Sequence, residues 1–197
     1  MDHPFRWLVV VAHGSAQHEG RFVEQRVEQG AMRERADVDE TLQPAEISGR
    51  LLNELYTHAL ESWPEECCGL ILGVGDDRYQ RLVRCRNEMT HRHQTDPIAY
   101  PRDGREAYYM NEHDYLREIE KADAEALSVT AVYHSHVGGA VYLSEMDLRY
   151  AQSELFPFPD AEQIVVSVSE RKVRGLGLFR RVGRDAPFIG RPVEPLT

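Results

Sequence analysis

The chain has 197 residues, enough for one domain with an appendage and for a core that needs no disulfide staples. Lys and Arg number 23 against 33 Asp and Glu, a formal charge of −10, which argues against the basic face of a nucleic-acid binder. Three cysteines, two of them adjacent, make no disulfide framework and suggest the cytoplasm; the apolar run at residues 8–12 is too short for a membrane span.

In chain order, residues 7–12 read as a strand. Residues 17–42 are mostly polar with no sustained 3.6-residue period, so they read as a solvated helix or linker. This divides the chain into an N-terminal extension, residues 1–42, and a domain over residues 43–197. After Pro44, the residues Ile47, Leu51, Leu52, Leu55, Ala59 and Leu60 share one helical face, and Trp63-Pro64 ends the helix. Residues 69–74 are apolar and bounded by glycines, a buried strand. Gly75-Asp76-Asp77 is a turn, and a second strand over residues 79–86 completes a hairpin. The polar residues 88–107, with Pro97 and Pro101, read as a long loop. A helix follows over residues 112–124, with Leu116, Ile119 and Tyr115 facing inward. Val129, Ala131 and Tyr133 alternate along a strand, and residues 144–155 form another helix. Strands follow over residues 164–168 and 173–179, and residues 183–197 read as a surface tail. Strands and helices mix without regular βαβ alternation, so the class is α+β, a mixed sheet with flanking helices.

The chemistry concentrates in residues 131–147, AVYHSHVGGAVYLSEMD. His134 and His136 end a strand, where residues two apart point to one face, so both imidazoles can reach one metal ion. Asp147 lies in the first turn of the next helix, and the glycine-rich stretch between can fold it back onto the histidines. Two neutral nitrogens and one carboxylate suit Zn²⁺ and leave a fourth position open, as in catalytic zinc sites. Ser144 and Asp147 also match a capping box, in which they would terminate the helix and do no chemistry. The two readings are compatible.

His134-x-His136, seven residues, Ser144, two residues and Asp147 together resemble the JAMM (MPN-plus) metalloprotease family. Upstream, Pro64-Glu65-Glu66-Cys67-Cys68-Gly69 is similar to the run that carries the family's catalytic glutamate, which falls here on Glu66. The resemblance covers about residues 45–180 and is nearest to short bacterial members. It implies an MPN-type, cytidine-deaminase-like α+β sandwich, with one catalytic zinc held by His134, His136 and Asp147. Glu66 would be the general base, and Ser144 would donate to the developing oxyanion. It further implies a peptidase or isopeptidase acting after the C-terminal glycine of a ubiquitin-like or sulfur-carrier protein with a Gly-Gly tail. Contacts with that partner are expected from residues 88–107 and from the segment after His136. Val137 departs from the family, which has proline there. Glu65 is the rival for the base, His91 and His93 for a second zinc, and Cys67 and Cys68 for a thiol centre. The competing functions are a non-catalytic MPN scaffold and a small-molecule amide hydrolase on the same fold.

Overall fold

The structure is a computed structural model that describes residues 35–184 and 186–196. The strand read at residues 7–12, and the polar stretch before residue 35, lie outside the described residues.

Arg35–Asp37 form strand β1 and Ala45–Ile47 strand β2. The end of the segment read as helix or linker is therefore partly a strand, because Ala36 finds a buried seat against Leu143. Helix α1 spans Gly49–Ser62, and the Ser48 Oγ accepts the Leu51 N–H at 3.3 Å. Its start is later than Pro44 suggests, because residues 45–47 pair in parallel with a strand near the C-terminus. Strands β3 (Cys68–Val74) and β4 (Asp77–Cys85) form the expected hairpin, turning through Gly75 at φ +53°.

The stretch read as a loop contains a short helix, α2 (Met89–Thr95), anchored by the buried Met89. Helix α3 occupies Glu112–Ala124 as the periodicity indicates, and the Asn111 side chain accepts the Asp114 N–H at 2.9 Å. Tyr115 is buried and Ile119 packs beneath it, but Leu116 remains 48 % exposed, so the inward stripe is narrower than expected. Strand β5 (Ser128–Val137) carries the histidine pair. The glycine-rich stretch after it contains strand β6 (Tyr142–Ser144), followed by helix α4 (Glu145–Gln152). Strands β7 (Glu162–Ser169) and β8 (Lys172–Arg180) match their sequence pattern. The supposed tail forms strand β9 (Ile189–Pro195), which lies between β2 and β8. Its partners are remote in sequence, which is why local composition reads it as a tail.

The main sheet has the order β2-β9-β8-β7-β5-β3-β4, parallel at β2–β9 and β5–β7 and antiparallel elsewhere; β1 and β6 form a small second sheet. This is the mixed-sheet α+β architecture that the sequence indicates. Alternation along the strands sends side chains to two layers. Ile71, Ala131, Tyr133, Ile164 and Val166 pack under the α1 residues Leu51, Leu55 and Ala59. On the opposite face, Leu70, Leu72 and Val132 meet Tyr115 and Ala122 of α3, while Val165 and Phe179 meet Leu148 and Ala151 of α4. Gly69 is needed where the Tyr133 ring crosses the sheet, since a Cβ there would lie 2.6 Å from its hydroxyl oxygen. Among the described residues, no helix is long and apolar enough to cross a membrane.

Candidate metal centre

His134 and His136 share the parity of Val132 on β5, so both face the side of the sheet that α3 and α4 cover. The centre of the sheet buries them, since β5 has β3 on one side and β7 on the other. Their Nε2 atoms stand 3.2 Å apart. Asp147 closes the cluster, its Oδ1 3.5 Å from the His134 Nε2 and its Oδ2 3.6 Å from the His136 Nε2. No other trio of His, Cys, Asp or Glu among the described residues converges in this way. A tetrahedron with zinc–ligand bonds of about 2.0–2.1 Å has edges of about 3.3 Å, so these separations fit a zinc ion at the centre.

The surroundings orient each donor. The His136 Nδ1 lies 3.2 Å from the Ala140 carbonyl, which holds the proton on Nδ1 and turns the Nε2 lone pair to the cluster. Tyr108 stacks on His134 at 4.7 Å, and Tyr142 meets His136 edge-on at 4.9 Å. The capping box at α4 is fully formed: the Ser144 N–H and hydroxyl both donate to the Asp147 Oδ2, at 2.8 and 2.7 Å, and the Asp147 N–H donates back to the Ser144 Oγ at 3.2 Å. The cap is thus also the device that aims the carboxylate. Burial opposes the charge on Asp147, but the two imidazoles outweigh it and hold the carboxyl well below its ordinary range. Burial likewise opposes a charged His136, and its hydrogen bond with Asp147 outweighs that and raises its pKa.

Glu66 stands just before β3, buried at the head of the same cleft. Its N–H donates to the Gly104 carbonyl at 2.7 Å, and its carbonyl accepts from the Asn87 amide at 3.0 Å. Burial is the main cause of a carboxyl pKa pushed up to about 8; His136 pulls it down and Asp147 raises it further. Glu65 faces elsewhere, its Oε1 accepting from the Thr90 hydroxyl at 2.7 Å. The rival thiols are buried and unpaired, and burial pushes Cys67 up to about 12 and Cys68 well above its ordinary value. The His93 Nδ1 sits 2.6 Å from the Tyr100 carbonyl within the α2 lobe, and no third donor joins it and His91.

Val137 stands where the resemblance leads one to expect proline. The turn after it is fastened otherwise: the Gly138 N–H donates to the Val168 carbonyl at 2.8 Å, and the Ser167 hydroxyl donates to the Gly139 carbonyl. Gly138 has φ +73°, a conformation that other residues rarely adopt. Sequence reasoning misses Tyr108, Tyr142 and Asn87. The Asn87 amide also donates to the Ala107 carbonyl, and its Oδ1 accepts the Met89 and Tyr109 N–H groups, joining three segments at the base of the cleft. An asparagine between a strand and a polar stretch is the only local trace of that role.

The cleft measures about 630 Å³ and runs from Glu66 past His136 and Asp147 to an aromatic wall that includes Tyr115, Tyr150, Phe156 and Phe158. The model of the family described as prokaryotic homologs of the JAB domain matches residues 48–178. Among curated relatives, the CysO-cysteine peptidase of Mycobacterium tuberculosis is 28% identical over 149 residues, covering 75% of this chain and 88% of its own length. A Caenorhabditis elegans protein is 29% identical over 173 residues, covering 82% of this chain and 49% of its own length. Two solution structures share the fold. One, from Desulfitobacterium hafniense, has a TM-score of 0.53 at 19% identity and covers 76% of this chain and 90% of its own. The other, from Salinibacter ruber, has a TM-score of 0.52 at 24% identity and covers 77% of this chain and 92% of its own.

Proposed function

Because the chain belongs to the family of prokaryotic homologs of the JAB domain, we propose that it is a zinc-dependent peptidase working in the cytoplasm. Its substrate on this reading is a sulfur-carrier or other ubiquitin-like protein, cut after the glycine that ends its Gly-Gly tail. The support for such a substrate is the 28% identical CysO-cysteine peptidase, and three buried, unpaired thiols suit a reducing compartment. The observation that carries the chemistry is the trio of donor atoms at tetrahedral spacing with a buried carboxyl in the same cleft.

His134, His136 and Asp147 would hold the zinc. When bound there, zinc supplies Lewis-acid chemistry, polarising the scissile carbonyl and making water a better acid. The remaining work falls to the protein. Glu66 takes a proton from the attacking water at a carboxylate oxygen and delivers it to the leaving nitrogen. A carboxyl that titrates near neutrality can do both, and burial is what brings it there. The Ser144 N–H keeps Asp147 aimed, which lets the hydroxyl turn its single proton from the Asp147 Oδ2 to the oxygen that gains charge as the carbonyl carbon turns tetrahedral. The α2 lobe and the aromatic wall exclude water and receive the extended tail.

The test is hydrolysis of a carrier protein extended beyond its Gly-Gly tail by zinc-loaded protein and by Glu66→Gln. The wild type should cleave, and Glu66→Gln should lose about 10²–10⁴-fold in kcat. Equal cleavage by both proteins would remove Glu66 from the mechanism. Absence of cleavage by the zinc-loaded wild type would overturn the peptidase reading.

A further inference from the structure

The two imidazoles of the metal centre are oriented by different means. The His136 Nδ1 lies 3.2 Å from the Ala140 carbonyl, and a carbonyl only accepts, so the proton sits on Nδ1 and the lone pair on Nε2. The His134 Nδ1 is buried with no hydrogen-bond partner among the described residues, and its ring is held by the Tyr108 ring stacked on it at 4.7 Å. His136 therefore depends on a backbone oxygen in the loop between β5 and β6, which begins with Gly138 and Gly139. Glycine backbone has the widest conformational freedom, so that oxygen keeps its place only if something fastens the loop.

The main sheet supplies the fastening. At one end of the loop the Gly138 N–H donates to the Val168 carbonyl at 2.8 Å. At the other, Val141 sits against β8 where two residues lack side chains: a Cβ at Gly175 would lie 2.9 Å from the Val141 Cγ2, and one at Gly177 2.6 Å from the Val141 Cγ1. Between these anchors the Ser167 hydroxyl donates to the Gly139 carbonyl. Ser167 pairs with His136 across β7 and β5 and shares the parity of Val165, so it stands on the face of the sheet that carries the metal donors. It is only 2 % exposed. A buried hydroxyl is costly unless bonded, and this one spends its single proton on that carbonyl. The Gly139 carbonyl and the Ala140 N–H share one planar peptide. With that plane held, only the two dihedrals of Ala140 separate it from the oxygen that meets His136, and the seated Val141 limits those from the far side.

We propose that Ser167 is a positioning residue for the metal centre: by holding the Gly139 carbonyl it keeps the Ala140 carbonyl on the His136 Nδ1, and so presents the Nε2 lone pair to the ion. This rests on the zinc-dependent reading above and adds to it a residue that coordinates nothing and acts only through the loop. A neutral imidazole without its acceptor can carry its proton on either nitrogen, and the form protonated at Nε2 has no lone pair there to give. Loss of the Ser167 bond therefore weakens one ligand of three and leaves His134, which is held by stacking, as it was.

The experiment uses the full chain and two readouts. Zinc affinity is measured by competition with an indicator, and the ring-nitrogen resonances of both histidines are read by NMR in the zinc-loaded protein. Ser167→Ala should weaken zinc binding by about 10-fold, the lower end of what a ligand loses with its supporting hydrogen bond. It should also move the Nδ1 resonance of His136 and leave that of His134 in place. A part in packing alone would move both or neither, so His134 is the internal reference. Ser167→Thr keeps the hydroxyl and should recover both the affinity and the His136 resonance. An unchanged affinity or an unmoved His136 resonance in Ser167→Ala, an equal shift at both histidines, or an equal loss in Ser167→Thr overturns the assignment, while zinc binding by the wild type leaves the metal reading standing. Failure of the wild type to bind zinc overturns that reading, and this inference falls with it.

Discussion

Glu66 is the side chain whose charge state the fold perturbs most usefully. Its pKa rises from 4.5 to about 8, chiefly by burial. In the metal-free protein the folded state therefore keeps a proton that the unfolded state releases above pH 4.5. The stability tied to that proton is fully present below pH 4.5 and is lost as pH rises through about 8. Glu66→Gln keeps the shape and removes the titration. In the presence of a chelator it should melt above wild type near pH 8, with a gap that closes toward pH 5 and reaches at most about 3 kcal/mol at pH 7. His136 and Asp147 titrate in both proteins, so the difference reports Glu66 together with its coupling to His136. Thermal unfolding between pH 5 and 8 checks this, and a variant that melts below wild type throughout would mean that Glu66 is stabilised as the anion. The convergence of His134, His136 and Asp147 is legible because their spacing with Ser144 is local, and Glu66, the proposed base, sits in a recognisable run. Tyr108, Tyr142 and Asn87 are not, because each reaches the site through pairing that no local pattern encodes.

Helix α4 shows how one element serves both stability and chemistry. Its capping box satisfies the first-turn N–H groups, and the same Ser144 groups fix the oxygen that Asp147 turns toward His136. Ser144→Ala keeps the backbone donor and removes the hydroxyl. It should cost about 1 kcal/mol in unfolding free energy, as for other caps. It should also weaken zinc binding by about 10–100-fold, as when a ligand loses its supporting hydrogen bond. Chemical denaturation of the chelated protein and a competition titration with a zinc indicator separate the two effects. Loss of stability with unchanged affinity would make Ser144 a cap alone. The other elements divide by how local their causes are. Helix α3 has the bounds that its pattern gives, although Leu116 faces out, since a cap at Asn111 and a 3.6-residue period are local signals. Strands β6 and β9 escape sequence reading. They are held by β1, β2 and β8, and Pro192 and Pro195 make β9 look like a tail.

At the scale of the molecule, the small sheet of β1 and β6 links the start of the described chain to the metal centre. Arg35 pairs with Ser144, Ala36 with Leu143 and Asp37 with Tyr142. The Arg35 guanidinium lies 5.2 Å over the Tyr142 ring, whose edge meets His136. Val38 and Ala36 also cover Leu143 and Phe179 on the α4 side of the main sheet. Composition alone drew the division between extension and domain at residue 42, because the few apolar residues there show no period. The pairing argues that the working unit begins at β1. Two deletions separate these positions: residues 1–34 and residues 1–42. They differ only in β1 and the turn after it, so any difference between them belongs to those residues. Uncovering two apolar side chains and losing a strand should cost about 2–3 kcal/mol, lowering Tm by about 5–10 °C in a domain of this size. The shorter protein should also bind zinc more weakly, because β6 leads directly into Ser144 and would lose its only partner strand among the described residues. Differential scanning calorimetry and zinc titration of the two proteins measure both quantities. Equal melting and equal affinity would return the boundary to residue 42 and leave β1 without a part in shaping the centre.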